Sequence, residues 1–414
     1  MTAAKGYWPR VPLKAVANVL VSHVDKKAVH GELPIRLCNY VDVYYNETIT
    51  SGLAFMEATA NARDRAVFGL QGGDVLITKD SETAEDIAQA AYVPETLHDV
   101  VCGYHLAILR PRHTSSVCGR YLFWAIKSAE VRGYLASAAS GVTRFGLRQA
   151  ALASVSIPVP SLPEQRGIAD YLDRETARID ALLMATRQMA DLLEERWQGV
   201  LETSIRTLVD CHDQIPLKYA CREIVVGIVV TPSAWYAEVG VPALRGVNVR
   251  PGHIILDDLV YLTKEGDALH AKSRLNTGDV IIVRTGQAGT AAVVPADLDG
   301  ANCIDLVIIR PGPDLDPHFL EFVLNSDWLQ KHIDEHSVGS IQSHFNVGAA
   351  KSVPIPRVPL DEQARVVQEL RAERDHAQAV IDRLQHRMRI LGERRQSLIA
   401  AAIAGQVDVA GEVA

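Results

Sequence analysis

Two sets of polar residues stand at matching places in the two halves of this chain, in stretches that read as loops. Thr78 and Lys79 follow the segment GDVLI that begins at Gly73; Arg284, Thr285 and Gln287 follow GDVII, which begins at Gly278. Further on come SGVTRFG, with Thr143 and Arg144, and VGSIQSHFN, with Ser340, Gln342, Ser343 and His344. Asn39 and Tyr40 lie near one inner strand of the first half, and Arg245 and Asn248 open the matching strand of the second. Arg, Asn, Gln, Ser and Thr are the side chains that bond base edges and phosphate oxygens. The glycines beside them permit close backbone approach. Taken singly, each such residue reads as a solvated loop side chain. Recurrence in both halves is what favours the loops as binding elements.

Searches for catalytic patterns return little. The chain has no Gly-x-x-x-x-Gly-Lys phosphate loop, no Gly-x-Gly-x-x-Gly, no Asn/Asp-Pro-Pro-aromatic segment suited to methylating an exocyclic amine, and no His-Glu-x-x-His. Asp74 with Lys79 resembles a nuclease fragment only loosely. Asp279 occupies the same turn in the second half, so a turn role accounts for both aspartates. The six cysteines include no Cys-x-x-Cys, which points to buried reduced thiols and to neither a metal site nor a disulfide framework. A formal net charge of −8 argues mildly against nucleic acid, although the field that matters is local.

What could position these loops is set by length and repetition. The 414 residues suggest two to three domains. No apolar run approaches bilayer length, and the N-terminal stretch lacks a signal-like apolar core, so a cytoplasmic location is expected. Glu164-Gln165 recurs 198 residues later as Glu362-Gln363. At that offset Ile157-Pro158 meets Ile355-Pro356, Leu172 meets Leu370, and Glu195-Arg196 meets Glu393-Arg394 without a gap. Earlier segments match more loosely: VPLKAVA from Val11 with IPLKYAC from Ile215, and the two GDV segments. The chain is two copies of one unit, each a variable globular part followed by a shared tail.

Each tail reads as a long helix. Heptad spacing gives Leu172, Ile179, Thr186, Leu193 and Val200 in the first, and Leu370, Ala377, Leu384, Leu391 and Leu398 in the second. Leu182, Leu183 and Met189 widen the first stripe; Val380, Ile381 and Met388 widen the second. Arg174, Arg178, Asp180 and Glu194, and in the second tail Arg374, Asp382, Arg387 and Arg395, are expected on the solvated faces. About 42 residues at ~1.5 Å each make a rod of roughly 60 Å. Two such rods most simply pair as an intramolecular coiled coil. An antiparallel pair is expected, because the second globular part lies between them. Pro163 and Asp361 mark the first turns, and capping is the role expected of Glu164, Gln165 and Gln363.

The globular parts read as small mixed α/β domains, giving an α+β fold. The strands GDVLITK, GDVIIVR, HLAILRP and DLVIIRP come from non-adjacent segments. GRYLFWAIKSAEVRGYL from Gly119 and PHFLEFVLNSDWLQKHI from Pro317 each read as one amphipathic helix. The boundaries that follow are residues 1–160 and 210–357 for the globular domains, and 161–209 and 358–414 for the helical segments with the C-terminal tail.

The doubled entry to a long helix, Ile-Pro followed after five residues by Glu-Gln, with the GDV segments and the closing LIAAAIAGQVDV from Leu398, resembles the specificity subunit of type I restriction-modification systems. The resemblance covers essentially the whole chain. The first tail departs slightly, with PSLPEQ where the second has PRVPLDEQ. It implies two target recognition domains, each reading one half of a split double-stranded DNA site, with the helices as a ruler between them. It further implies a non-catalytic subunit that binds no cofactor or metal itself. Two modification subunits would supply S-adenosylmethionine and adenine-N6 methyl transfer, and motor-nuclease subunits would use ATP and magnesium. Two rival readings are an enzyme with its own specificity domain and a coiled-coil scaffold for proteins alone. Methyl transfer or nicking by the isolated chain would reveal the first, and indifference of the complex to DNA sequence the second.

Overall fold

The computed structural model describes residues 8–112, 117–336 and 345–407. Ser340, Gln342, Ser343 and His344 lie outside the described residues. Contacts divide the chain into two compact units, residues 1–186 with 386–414, and residues 187–385. Each unit therefore contains part of both long helices.

Unit 1 is built on two four-stranded sheets. The strands are β1 (Ala17–Val21), β2 (Leu33–Cys38), β3 (Met56–Ala60), β4 (Gly69–Leu70), β5 (Val75–Thr78), β6 (Ala90–Tyr92), β7 (Leu97–Cys102) and β8 (Leu106–Pro111), with the short helix α1 (Tyr40–Tyr45) after β2. One sheet has the order β1-β8-β5-β6, antiparallel throughout. The other has the order β3-β2-β7-β4, with β2 and β7 parallel. Val75, Leu76, Ile77, Leu106, Ala107, Ile108 and Leu109 are fully buried, which is why both GDVLI and HLAILRP read as unbroken apolar runs.

Unit 2 repeats the plan. Its strands are β9 (Cys221–Val226), β10 (Val241–Leu244), β11 (Val260–Leu262), β12 (Val280–Val283), β13 (Ala291–Val293), β14 (Asn302–Cys303) and β15 (Leu306–Pro311). The main sheet runs β9-β15-β12-β13, and β10 pairs parallel with β14 as β2 does with β7. In each unit the Ile-Pro segment closes a two-stranded ribbon with the chain's entry into that unit. Ile157 pairs with Val11, and Ile355 pairs with Ile215.

Gly73 and Gly278 turn into β5 and β12 at φ of 96° and 85°, a backbone region that favours glycine. The aspartates that follow them do more than close a turn. Asp74 Oδ2 accepts the Gln71 N–H at 2.9 Å, and its carboxylate takes two bonds from Arg110, both at 2.8 Å. Asp279 Oδ2 accepts the Asn276 N–H at 2.8 Å and lies 3.6 Å from Arg310 Nε. The Gly-Asp that opens one strand is thus tied to the Arg-Pro that ends its neighbour.

Each expected amphipathic helix is two. In unit 1 they are α2 (Gly119–Lys127) and α3 (Ala129–Ala138); in unit 2 they are α5 (Pro317–Leu324) and α6 (Asp327–His336). The breaks fall at Ser128 and at Asn325-Ser326. Ser128 Oγ and Ser326 Oγ donate to the carbonyls of Ala125 and Val323, each at 2.7 Å. A serine hydroxyl that competes for backbone groups ends a helix, and apolar periodicity does not record it.

The long helices are α4 (Leu162–Cys211) and α7 (Leu360–Ile403). Buried or half-buried positions recur on α4 at Gln165, Ala169, Leu172, Thr176, Ile179, Leu183 and Thr186, and the same alternation of three and four continues through Leu193, Trp197 and Val200. On α7 the stripe passes through Leu370, Arg374, Ala377, Ile381, Leu384, Met388, Leu391, Arg395 and Leu398. This is the 3.5-residue seam of a coiled coil. Leu172, Ile179, Leu370, Leu384 and Leu391 are buried; Leu193, Val200 and Leu398 are half-buried. In unit 1 the start of α4 (Ile168, Leu172) shares a core with the end of α7 (Ile399, Ile403). In unit 2 the end of α4 (Trp197, Leu201, Ile205) shares one with the start of α7 (Val366, Leu370). Start meets end in both units, so the helices are antiparallel. Two expectations fail here. Leu182 and Met189 are exposed, because the second seam position runs through Thr176, Leu183, Ala190 and Trp197 instead. Arg374 and Arg395 are seam residues, each held there by acidic partners from its own unit.

Candidate nucleic-acid interface

Described polar loop residues lie at one corner of each unit, where the strand after Gly-Asp ends and its neighbour begins. In unit 1 Lys79 follows β5 and His105 precedes β8. Asp80 holds both: Lys79 Nζ lies 3.1 Å and His105 Nδ1 2.7 Å from Asp80 Oδ2. In unit 2 the corresponding pair is direct, with Arg284 Nη1 donating to Asp305 Oδ1 at 2.6 Å. The residue that follows the later loop is bonded to the same corner by one repeated backbone bond. The Leu147 N–H donates to the Lys79 carbonyl at 2.8 Å, and the Phe345 N–H to the Arg284 carbonyl at 3.0 Å. This bond sets the 140–146 loop, with exposed Thr143 and Arg144, beside Lys79.

The segment after the parallel strand joins each corner. In unit 1 the Asn39 N–H donates to Asp42 Oδ2 at 2.7 Å, which starts α1. Tyr40 stacks on Tyr44 with ring centres 5.4 Å apart, and Tyr45 projects into solvent, 77% exposed. Burial and the charge of Asp86 hold the Tyr40 phenol above its ordinary range, against the opposing effects of Ser81 and Arg144. Tyr40 is therefore a neutral hydroxyl at physiological pH. In unit 2 the Arg245 N–H donates to Asn248 Oδ1 at 2.9 Å, which closes the 3-10 turn Gly246–Asn248.

A cleft opens at each corner. The unit 1 cleft, about 410 Å³, is lined by Ser22, His23, Asp25, Lys79 and Tyr104. The unit 2 cleft, about 570 Å³, is lined by Arg245, Val247, Arg250, Thr285, Gln287 and Asp305, among others. Among the described residues, the buried Nε atoms of Arg245 and Arg284 find no acceptor.

Two expected contact residues are ruled out by burial. Thr78 is fully buried, and its hydroxyl accepts the Gln89 N–H at 3.0 Å. Asn248 is fully buried, and its amide is spent on the carbonyls of Ile255 and Asp257. Sequence reading passed over His105 and Asp305, although both stand directly before the repeated apolar strands. It also passed over Arg250 and Val247, whose place in the cleft depends on the turn beside them.

The paired Gln165 and Gln363 are not caps of their own helices. Glu164 does the capping, accepting the Ser161 N–H at 2.8 Å. Gln165 Oε1 accepts the Cys118 N–H at 2.9 Å, at the start of α2, and Gln165 Nε2 donates to the Pro160 carbonyl at 2.8 Å. Gln363 Oε1 accepts the Asp316 N–H at 2.8 Å, and its Nε2 donates to the carbonyls of Val358 at 2.8 Å and Asp314 at 2.9 Å. Both side chains are essentially fully buried. They fasten the long helix to the globular part of their own unit.

Residues 39–187 match the family model described as the type I restriction modification DNA specificity domain. A solved chain from work on complex assembly and conformational transition of the type I R-M system shares the fold. Its TM-score is 0.67 at 18% identity, over 98% of this chain and 100% of that one. The chain is similar to the specificity subunits of type I restriction-modification systems, and residues 39–187 carry the match to their DNA specificity domain. Among curated specificity subunits, that of the type I restriction enzyme EcoBI from Escherichia coli is 22% identical over 66% of this chain and 64% of its own length, so just under two thirds of that relative is matched. The EcoKI specificity subunit of Escherichia coli strain K12 is 22% identical over 81% of this chain and 75% of its own. Both of these relatives are specificity subunits of type I restriction enzymes. Among this chain's described residues no helix is long and apolar enough to cross a membrane, and no cluster of His, Cys, Asp and Glu could hold a metal ion.

Proposed function

We propose that this chain is a specificity subunit that reads DNA for a type I restriction-modification complex in the cytoplasm, each unit contacting one half of a bipartite double-stranded site. The observation that supports this most is a cleft in each unit beside the end of the strand that follows Gly-Asp, lined by Lys79 in one unit and by Thr285 and Gln287 in the other. Asn39, Tyr40, Lys79, Thr143 and Arg144 would serve one half-site; Arg245, Arg284, Thr285 and Gln287 would serve the other. Partner subunits would carry the chemistry. Two modification subunits would bring S-adenosylmethionine, and motor-nuclease subunits would bring ATP and magnesium. Phosphate contacts from these partners would offset a net charge of −8.

Methylation mapping of host DNA with and without the subunit tests the reading. A split motif should be modified only when the subunit is present. Equal mobility shifts of the assembled complex on mapped and scrambled DNA would defeat it. Exchange of residues 210–350 for those of another family member should change one half of the motif and leave the other. A change in both halves would rule out independent reading.

The coiled coil would set the unread spacer. One heptad is ~10.5 Å of helix, close to three base pairs at ~3.4 Å each. Inserting one heptad in both α4 and α7 should therefore lengthen the spacer by about three base pairs. An unchanged spacer in the mapped motif would remove the ruler role.

A further inference from the structure

The seam of α7 carries two arginines where a coiled coil ordinarily holds apolar side chains. Arg374 and Arg395 stand three heptads apart on the same stripe. In unit 1 the Arg395 side chain is 10% exposed. It donates from Nη2 to Glu47 Oε1 at 2.7 Å and from Nε to Asp180 Oδ1 at 2.9 Å, with its guanidinium 5.9 Å from the centre of the Trp124 ring. Lys127 pairs with the same Glu47. In unit 2 Arg374 Nη1 donates to Glu321 Oε1 at 3.0 Å and lies over Phe322, 4.9 Å from the ring centre. Glu321 is only 2% exposed. Well-packed apolar residues are often as stable as a buried ion pair or more so. Core stability alone therefore does not explain two arginines here.

Both arginines reach the segment that leaves a candidate reading element. Glu47 lies two residues beyond α1, and its carbonyl accepts the Tyr92 N–H at 2.9 Å, which ties it to the sheet edge. Gly252 lies four residues beyond the turn at Gly246–Asn248. A Cβ on Gly252 would stand 2.2 Å from Arg374 Nη1 and 2.7 Å from Glu321 Oε1. The reading segment is thus in contact with the seam arginine in each unit, through a carboxylate in one and through bare backbone in the other.

We propose that Arg395 and Arg374 are positioning residues that hold segments 39–47 and 245–252 against α7, so that each half-site is read in one register. The inference rests on the DNA-reading function proposed above. Its test uses the assembled complex, with methyl transfer measured as kcat/KM on the mapped motif and on DNAs altered at one base pair in either half. Arg395→Met should lower discrimination about tenfold, on the scale of one mismatched base pair, at the half-site that exchange of residues 210–350 leaves unchanged. Arg374→Met should do so at the other half-site only. Arg395→Lys, which keeps the charge but not the fork, should restore part of the loss. Glu47→Gln should reproduce the Arg395→Met pattern and supplies the test if Arg395→Met does not assemble. Equal loss at both half-sites, or unchanged discrimination in an assembled variant, would overturn the proposal. A wild-type complex without sequence preference would instead remove the reading on which it rests, and the proposal with it.

Discussion

Asp74→Ala should lower the unfolding free energy of the chain by about 3–5 kcal/mol, the usual cost of removing one partner from a buried ion pair. Asp74 is 1% exposed, and Arg110 is 15% exposed at its side chain. With the carboxylate gone, the Arg110 guanidinium keeps the carbonyls of Gly69 and Val67 among the described residues. The Gln71 N–H loses its acceptor as well. The equivalent change in unit 2 should cost less. Arg310 sits farther from Asp279 and retains Glu223 together with the carbonyls of Lys272 and Arg274. Urea midpoints of the two variants of the full chain check both points. A larger loss from Asp279→Ala than from Asp74→Ala would show that these pairs are not ranked by their alternatives.

Gln165→Ala should cost about 2–4 kcal/mol, because one buried and one half-buried backbone group lose a partner at once and an unmet buried donor or acceptor costs about 1–3 kcal/mol. The Cys118 N–H and the Pro160 carbonyl are those groups. Gln165→Glu is the sharper variant. A carboxylate would still accept from Cys118 but would face the Pro160 carbonyl with no proton to give, so it should destabilise at least as much as alanine at neutral pH. Gln363→Ala removes the bonds to the Asp316 N–H and to the Val358 and Asp314 carbonyls and should cost a similar amount. If Gln165→Glu were as stable as the parent chain in urea, the glutamine would not be acting as a two-sided clamp.

The clamp shows what kind of information the sequence carried. The Glu-Gln pair, its 198-residue repeat and its place at a helix start are all plain in the residues. What the glutamine bonds to was not plain, because Cys118 is 47 residues away along the chain. The serines at 128 and 326 are a similar case. Both stand in the open sequence, but the apolar run around them masks a stop that only hydrogen bonding enforces.

Among the candidate contacts the division is sharper. Lys79, Arg144, Arg284 and Gln287 stayed at or near a surface, whereas Thr78 and Asn248 of the same chemical types turned inward. Side-chain type names a capability, and strand alternation and turn closure decide which face receives it. Arg374 and Arg395 moved the other way, from an expected solvated face to the seam. An arginine is tolerated there only because Glu321 in one unit and Glu47 with Asp180 in the other arrive from distant sequence to meet it.

The sequence by itself determined the doubling, the two long helices with a heptad seam, the apolar strands and the polar loops between them. Those properties are local or periodic: repeat spacing, 3.5-residue recurrence and unbroken hydrophobic runs. Only the tertiary structure decided the partners of Asp74 and Gln165, the burial of Thr78 and Asn248, and the meeting of Lys79, Asp80 and His105 at one corner. Those depend on which distant groups are brought within 3 Å or so of one another, and neither composition nor spacing carries that distance.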